Sequence, residues 1–559
     1  MPQQVGVILS GATTQKAVCQ LLEESERRIR EGMFLVTITN TGDSKIQILS
    51  RVSNLATYNE FYEVGDIWSE ARRKGHKIPV SVARKYVICE LELLGILPNL
   101  KEVTIPPSPG DGVFLLDKPH ELFLSVKKAG IYMDFGTIYG YENAPIPLSV
   151  EALPMHIAIL GVTGSGKSYT VGYLLEKLSS IKIGDRLIGI PGIIIDANGD
   201  YLDYYESFHN GEFECGYSKI YRFVFSNSSA AREDFNATRI KIDLNLFEPR
   251  ELAELIMDYY KTSSGSELAI SLLEDVFSTL RSTGYGNLNY LFAEKDMFER
   301  EILAGIDKMK TEQRYHHQTV GAAKRAVSTF RTDLEKFGLL VVNPDEATVN
   351  EKLIDSLTEN HELAIFDFSV EGATGISVKM KQLVVAYLTI LLYKRFVDYK
   401  MGRVPTKMGY RGARYAIFII EEAQYYCPNL ATYPVGSSVA REYLSLIATQ
   451  GRKFGLGLIL VTQRPAFVDP IVMSMINTYF IHRISPDDLT YVKRATGGLP
   501  ESLARRLTSL ETGTLIVSGQ MVPVPFPLLI RIPKRKITPT VGATFVSEYL
   551  RREVHVTVR

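Results

Sequence analysis

Between Ile157 and Thr170 the chain reads Ile-Ala-Ile-Leu-Gly-Val-Thr-Gly-Ser-Gly-Lys-Ser-Tyr-Thr, and this stretch restricts the fold more than any other. A short apolar run with strand character ends at Gly161. The loop Gly161-Val-Thr-Gly-Ser-Gly-Lys-Ser168 then enters an amphipathic pattern carried by Tyr173, Leu174, Leu175 and Leu178. Strand, glycine-rich turn and helix in that order suit a phosphate chain. Several backbone N–H groups must converge on it, and Gly164 and Gly166 let the backbone come close enough. In such a loop Lys167 reaches the β- and γ-phosphates, the Ser168 hydroxyl ligates Mg²⁺, and the helix N-terminus adds the positive end of its dipole. The expected ATP-binding residues are therefore Gly161, Val162, Thr163, Gly164, Ser165, Gly166, Lys167, Ser168 and Tyr169.

Around this loop the chain divides by pattern. Residues 1–145 carry short β-rich runs at Val5–Leu9, Met33–Thr39, Ile46–Val52, Tyr86–Leu93, Val113–Leu116 and Leu122–Val126. Alternation in Phe34–Thr39 and the turn residues Asn40–Asp43 predict a hairpin into Lys45–Val52, within a small closed or half-closed barrel. Gln15–Arg30 reads as a polar helix-like excursion, Trp68–His76 as a charged loop, and Pro106–Gly112 as a stiff turn before a strand. After Pro145, buried strands alternate with helices, the pattern of a parallel α/β sheet. Residues 146–244 form the first part of that core, 245–360 a helical insertion, 361–532 the second part, and 533–559 a basic tail.

Within the core, Ile193-Ile-Ile-Asp196 reads as a buried strand, with Asp196 either a helix cap or an acid placed where such sheets hold ligands. In the insertion, Pro249 opens a helix with Leu252, Leu255, Ile256 and Tyr259 on one face. A later helix presents Ala323, Ala326, Val327, Phe330 and Leu334. Lys308, Lys310, Arg314, His316, His317, Lys324, Arg325 and Arg331 make this neighbourhood basic, as a solvated face or a phosphate contact. Leu363–Phe368 is another strand, and Ile376–Val397 a long helix. Tyr415-Ala-Ile-Phe-Ile-Ile-Glu-Glu422 ends a strand in two carboxylates, which downstream of a P-loop assigns Glu421 to Mg²⁺ and Glu422 to the general base. The strand Leu456–Thr462 emerges into Gln463, a candidate for orienting water. Gly451-Arg-Lys-Phe-Gly455 puts cations at that strand's entry, away from its own nucleotide, so Arg452 is either plain surface charge or, if the protein is a ring, a finger for a neighbouring subunit's site; Arg441 is the rival. A terminal hairpin about Gly519-Gln520 completes the core. The basic tail lies across a neighbour or is solvated.

Composition adds exclusions. Of 559 residues, 63 are Lys or Arg and 63 Asp or Glu, so there is no bulk field for nucleic acid and any basic surface is local. Cys19, Cys89, Cys215 and Cys427 lack disulfide or zinc-ribbon spacing, which predicts reduced thiols. No apolar stretch is long enough to span a bilayer, and the N-terminus lacks a secretory pattern, which together predict a cytoplasmic protein without a membrane partner.

The motifs Gly161–Ser168, Asp196-Ala-Asn-Gly-Asp-Tyr201, Ile419-Ile-Glu-Glu-Ala-Gln424, Gly451–Gly455 and Thr462-Gln-Arg-Pro465 followed by Asp469-Pro470 resemble the HerA branch of the HerA–FtsK DNA translocases. That resemblance implies an α/β fold with a RecA-like P-loop ATPase core, an N-terminal β-barrel domain and a helical insertion. It further implies a homo-hexamer that hydrolyses ATP with Mg²⁺ between subunits and pumps double-stranded DNA through its pore. Relatives work with an effector: the NurA nuclease in DNA end processing, or nucleases and sirtuin-type NADases in anti-phage defence. By position, Glu422 is the catalytic base, Gln463 the sensor and Arg452 the trans finger. Glu421 stands where an Asp is usual, and Asp200 where a Glu is common. The alternative is a nucleotide-controlled assembly platform that activates a partner enzyme with little translocation of its own. Pore-lining residues are sought in Pro428–Ser438 and the basic insertion.

Overall fold

A computed structural model describes residues 3–537 apart from 43, 63–64, 66–67, 78–84, 128, 142, 261–266, 312–313, 405–413 and 433–438. The tail from 538 onward and the 433–438 part of the expected pore loop lie outside the described residues. Chain contacts define two units, Met1–Glu151 with Tyr479–Pro533, and Ala152–Thr478 with the segment from Lys534. Residues 479–532, expected in the second part of the core, thus group with the barrel.

In the first unit, Gln4–Ile8, Lys16–Leu21, Tyr86–Ile96, Lys45–Tyr58, Phe34–Asn40 and Gly112–Leu115 close a six-stranded barrel in that order. Closure removes the unpaired edges that an open sheet would present. Its interior is filled by Val5, Ala17, Cys19, Leu35, Val52, Cys89, Leu91 and Val113. The expected helix-like Gln15–Arg30 is corrected. Ala17, Cys19 and Leu21 point inward with period 2, which makes Lys16–Leu21 a barrel strand and leaves one 3-10 turn at Glu23–Ser25. Leu122–Val126 is likewise no strand. Pro119 starts the helix Pro119–Val126, whose Phe123 packs edge-on against Phe34 at 5.7 Å. Trp68–His76 contains one short helix, Ser69–Arg73. Cys19 and Cys89 face each other in the register as free thiols. Burial pushes Cys19 up to about 12 and Cys89 higher still. The expected terminal hairpin is present as Thr514–Gly519 against Leu528–Arg531.

The second unit is built on seven parallel strands in the order Thr238–Arg239, Lys219–Val224, Glu362–Asp367, Gly192–Asp196, Ala416–Ile420, Leu456–Thr462 and Ile157–Leu160. The last five lie wholly below the surface, as near-continuous apolar runs must in a sheet covered on both faces. The described residues between Pro249 and Asn360, expected as a helical insertion, are largely helical. Leu252, Leu255 and Ile256 are buried as expected, as are Ala323, Ala326, Val327, Phe330 and Leu334. Part of the basic neighbourhood serves the fold. Arg331 is buried and donates to the carbonyls of Phe292 and Ala293, satisfying the C-terminal end of the helix Leu288–Ala293, and Lys324 pairs with Asp307 at 2.7 Å. His316 and His317 are exposed neighbours with no metal-ligating company among the described residues.

The helix Lys167–Leu178 carries a strap. Arg535 donates through Nε to Glu176 at 3.0 Å, the Lys536 and Ile537 N–H groups donate to the same carboxylate, and the Arg535 N–H donates to Tyr169 Oη at 2.7 Å. A Cβ on Gly172 would sit 2.3 Å from the Arg535 guanidinium, so glycine is what lets the strap lie down. The tail therefore begins as a segment packed on its own P-loop helix rather than as solvated chain. Among the described residues no helix is long and apolar enough to cross a membrane.

Just before the P-loop strand, His156 is buried with a positive φ of 64°, and its Nδ1 accepts the Leu458 N–H at 3.0 Å. Burial pulls it down to about 4 from the ordinary 6.5. Between those values the unfolded chain binds a proton that the folded chain refuses, so stability falls as pH falls through this window. The gap corresponds to about 3 kcal/mol. His156→Asn keeps an acceptor near the Nδ1 position and tolerates positive φ. Denaturant unfolding from pH 7 to pH 4 is expected to show a shallower loss of stability in this variant than in the parent.

Candidate nucleotide-hydrolysis site

The parallel register decides which residues meet. Leu160 pairs with Thr462, Ile420 with Leu460 and with Ile195, and Asp196 with Asp367. The P-loop, Asp196, the Glu421–Glu422 pair and Gln463 therefore all leave the sheet at the C-terminal ends of adjacent strands, the edge where open α/β sheets place ligands.

Gly164 and Gly166 take φ of 73° and 103°, and Gly166 is the residue from which the helix Lys167–Leu178 starts. Those values are the left-handed conformations that glycine adopts without penalty. Lys167 folds back over the loop, its Nζ donating to the Val162 carbonyl at 3.1 Å, and Ser165 Oγ donates to the same oxygen at 2.7 Å. Burial lowers the Lys167 ammonium; Glu422, Glu421 and Asp200 oppose that shift. Tyr169, one turn in, is occupied by the Arg535 strap.

Glu421 lies beneath the loop, 3% exposed. Ser168 Oγ stands 3.5 Å from its Oε1, Tyr201 Oη donates to that oxygen at 2.5 Å, and the Ala197 N–H donates to Oε2 at 3.2 Å. Burial holds its carboxyl well above the usual range, with Asp196 and Asp200 adding to the shift. A hard divalent cation beside Ser168 would reverse this by favouring the carboxylate. Mg²⁺ takes one or two protein oxygens together with water and phosphate, and the Ser168 and Glu421 donor set fits that habit. Asp196 is not the cap of the next helix, which starts at Leu202 from Tyr201; its carboxyl accepts the N–H groups of Asn198, Gly199, Asp200 and Tyr201 and shapes the turn that carries Tyr201 to Glu421.

Glu422 has a left-handed backbone, φ 49° and ψ 46°. Its Oε1 accepts Gln463 Nε2 at 2.6 Å and its Oε2 accepts Gln424 Nε2 at 2.5 Å, while Thr163 Oγ1 donates to Gln463 Oε1. The acid, the glutamine and the P-loop are joined in one chain of hydrogen bonds. A carboxylate oxygen and a glutamine amide aimed together at the phosphate loop can hold and deprotonate a water.

The structure thus brings together the P-loop, Glu421, Glu422 and Gln463. Arg452 stays apart, exposed in the last turn of the helix Val439–Phe454 at the opposite strand end. Arg441 is engaged, its Nε donating at 2.6 Å to Asp469, which is fully buried. Tyr201, Gln424 and Thr462 stood inside quoted motifs without roles of their own. Gln424, two residues beyond the acid, was the one signal that a sequence offers for its contact.

Loop, acid pair and sheet order define a P-loop ATPase. The family model for the central domain of helicase HerA matches residues 133–392. The DNA double-strand break repair helicase HerA of Sulfurisphaera tokodaii is 25% identical over 95% of this chain and 93% of its own, and that of Saccharolobus solfataricus 24% identical over 93% and 91%. The chain is thus similar to HerA helicases along most of its length. Among solved structures, VirB4 of Thermoanaerobacter pseudethanolicus is similar at 12% identity, covering 73% of this chain and 97% of that one with a TM-score of 0.45. The plasmid coupling protein TrwB with ADP and Mg²⁺ is similar at 13% identity, 76% and 94%, with a TM-score of 0.46.

Glu421→Gln removes a buried charge, and its amide can accept from Ala197 N–H while donating to Tyr201 Oη. We expect the variant's melting temperature without nucleotide to rise by a few degrees, since relieving about 1 kcal/mol shifts a large domain by about 2–4 °C. Its dependence on Mg²⁺ for nucleotide binding is expected to weaken at the same time. Calorimetry with and without Mg·ADP measures both.

Proposed function

We propose that this ATPase is a motor on double-stranded DNA that works as a homo-hexamer. The observation carrying the reading is the pairing of a complete hydrolytic edge, with Glu422 and Gln463 bonded to the P-loop, and an exposed Arg452 that cannot reach that edge in its own subunit. A ring in which each Arg452 enters a neighbour's site gives that cation a purpose. Arg441 is the weaker candidate because leaving Asp469 would strand a buried carboxylate.

In this reading the P-loop amides and Lys167 hold the phosphates, and Ser168 and Glu421 would hold Mg²⁺, which would supply charge neutralisation there. Glu422 takes the proton of the attacking water, and Gln463 senses the γ-phosphate. DNA as substrate is supported by the relatives, named as DNA double-strand break repair helicases. With equal numbers of basic and acidic residues, binding is expected to rest on a local basic lining that follows phosphates without reading bases. An effector enzyme, a nuclease of the NurA kind or a sirtuin-type NADase, completes the assembly in end processing or anti-phage defence.

Solution mass and steady-state ATPase rate, measured together with and without ATP and duplex DNA, test this. A hexamer whose hydrolysis rises with duplex is expected. Arg452→Ala subunits mixed with Lys167→Ala subunits are expected to recover activity, because each variant supplies what the other lacks across an interface. A monomer, or a ring indifferent to DNA, contradicts the motor and favours a nucleotide-controlled platform that activates its partner enzyme.

A further inference from the structure

The geometry points to Gln424 as a positioning residue for Glu422 in ATP hydrolysis, clamped in turn by Thr462 from the neighbouring strand. This rests on the reading of Glu422 as the base. Gln424 is 6% exposed and Thr462 wholly buried. Thr462 Oγ1 accepts the Arg464 N–H at 3.1 Å and donates its own proton to Gln424 Oε1 at 2.7 Å, while the Glu422 carboxylate on the amide's other side can only accept. A threonine hydroxyl has one proton, and an amide has one accepting oxygen. With Gln424 Oε1 thus claimed, its Nε2 must face Glu422, where it donates to Oε2 at 2.5 Å. The orientation of the amide is therefore fixed by its neighbours rather than chosen.

Glu422 requires such a clamp. Its left-handed backbone is a conformation that non-glycine residues adopt only at a cost, and the carboxylate turns freely about its last torsion unless something holds it. Glu422 has two donors with different fates. Gln463 also touches Thr163 of the P-loop and so can answer to the γ-phosphate, releasing Oε1. Gln424 is rooted in the strand end and answers to nothing on the nucleotide. Oε2 thus stays anchored while Oε1 turns to the water. The water oxygen attacks the γ-phosphorus, its proton passes to Oε1, and the bond from phosphorus to the ADP oxygen breaks.

The test is a double-mutant cycle on the full chain with three readouts: kcat and KM for ATP, ADP affinity by calorimetry, and melting temperature. Gln424→Ala is expected to lower kcat roughly 10- to 100-fold, the scale of a misplaced reacting group. KM, ADP affinity and melting temperature should move little. Thr462→Val, which keeps the side-chain outline and removes only the hydroxyl, is expected to lower kcat in the same sense, and serves if Gln424→Ala does not fold. On the Glu422→Gln background, Gln424→Ala is expected to cost nothing further, because it acts only through that carboxylate. Undiminished kcat in both variants, or an equal additional loss on that background, overturns the positioning role. If Glu422→Gln alone leaves turnover intact, the reading of the base fails instead.

Discussion

The register that sets Leu160 beside Thr462, with Ile420 opposite Leu460 and Asp196 opposite Asp367, is the constraint from which the rest of the site follows. Each strand ends its apolar run and turns polar at the same height. A slip of one residue would turn every side chain of a strand to the other face, taking Thr462 away from Gln424 and Glu421 away from Ser168. The apolar strand interiors prevent that slip, since Ile193–Ile195, Ile417–Ile420 and Leu458–Val461 are buried on both faces. Hydrophobic burial thus secures polar geometry that the polar residues could not secure alone.

The edge is stabilised at some expense to the fold. Two carboxyls, Asp196 and Glu421, are buried at the ends of adjacent strands and bonded to the same turn, and burial raises both above the usual carboxylate range. Four backbone N–H groups on Asp196 and the Tyr201 and Ala197 donors on Glu421 offset part of that desolvation. Arg222 plays a similar part at the next strand, pairing with buried Asp367 at 2.7 Å and with Asp234 and Glu371 beyond it. Below the P-loop helix, the Arg535–Glu176 pair is 2% and 6% exposed at its side chains, so removing either partner alone would leave a buried charge without its counter-charge. Acidic residues that would be destabilising in isolation become tolerable because each is enclosed by donors that the same turns supply.

Much of this was legible in the sequence wherever local residues dictate local geometry. Gly164 and Gly166 announce the loop, Ile419–Glu422 a strand ending in acids, and Leu252, Leu255 and Ile256 a helix face. The six-stranded barrel was legible as a class but not strand by strand. Lys16–Leu21 turns small Ala17 and Cys19 inward, but apolar Val18 between them blurs the period of 2, and the run reads as polar helix. Leu122–Val126 holds β-prone residues, yet Pro119 at the first turn and the packing of Phe123 on Phe34 make it helical. Contacts between distant positions were hidden altogether. Thr462 meets Gln424, and Tyr201 meets Glu421, only because strands far apart in sequence lie side by side. Arg331 reads as part of a basic surface and is instead spent on carbonyls at a helix end.

The central claim is that Glu422 takes the proton of the attacking water in a site where Lys167, Ser168 and Glu421 only bind and orient. Single-turnover hydrolysis of bound ATP by Glu422→Gln, with nucleotide affinity measured on the same preparation, tests it most directly. The account predicts ATP bound with near-parental affinity and hydrolysed at least about 100-fold more slowly, the scale of losing a general base. Hydrolysis at the parental rate with ATP still bound would contradict it.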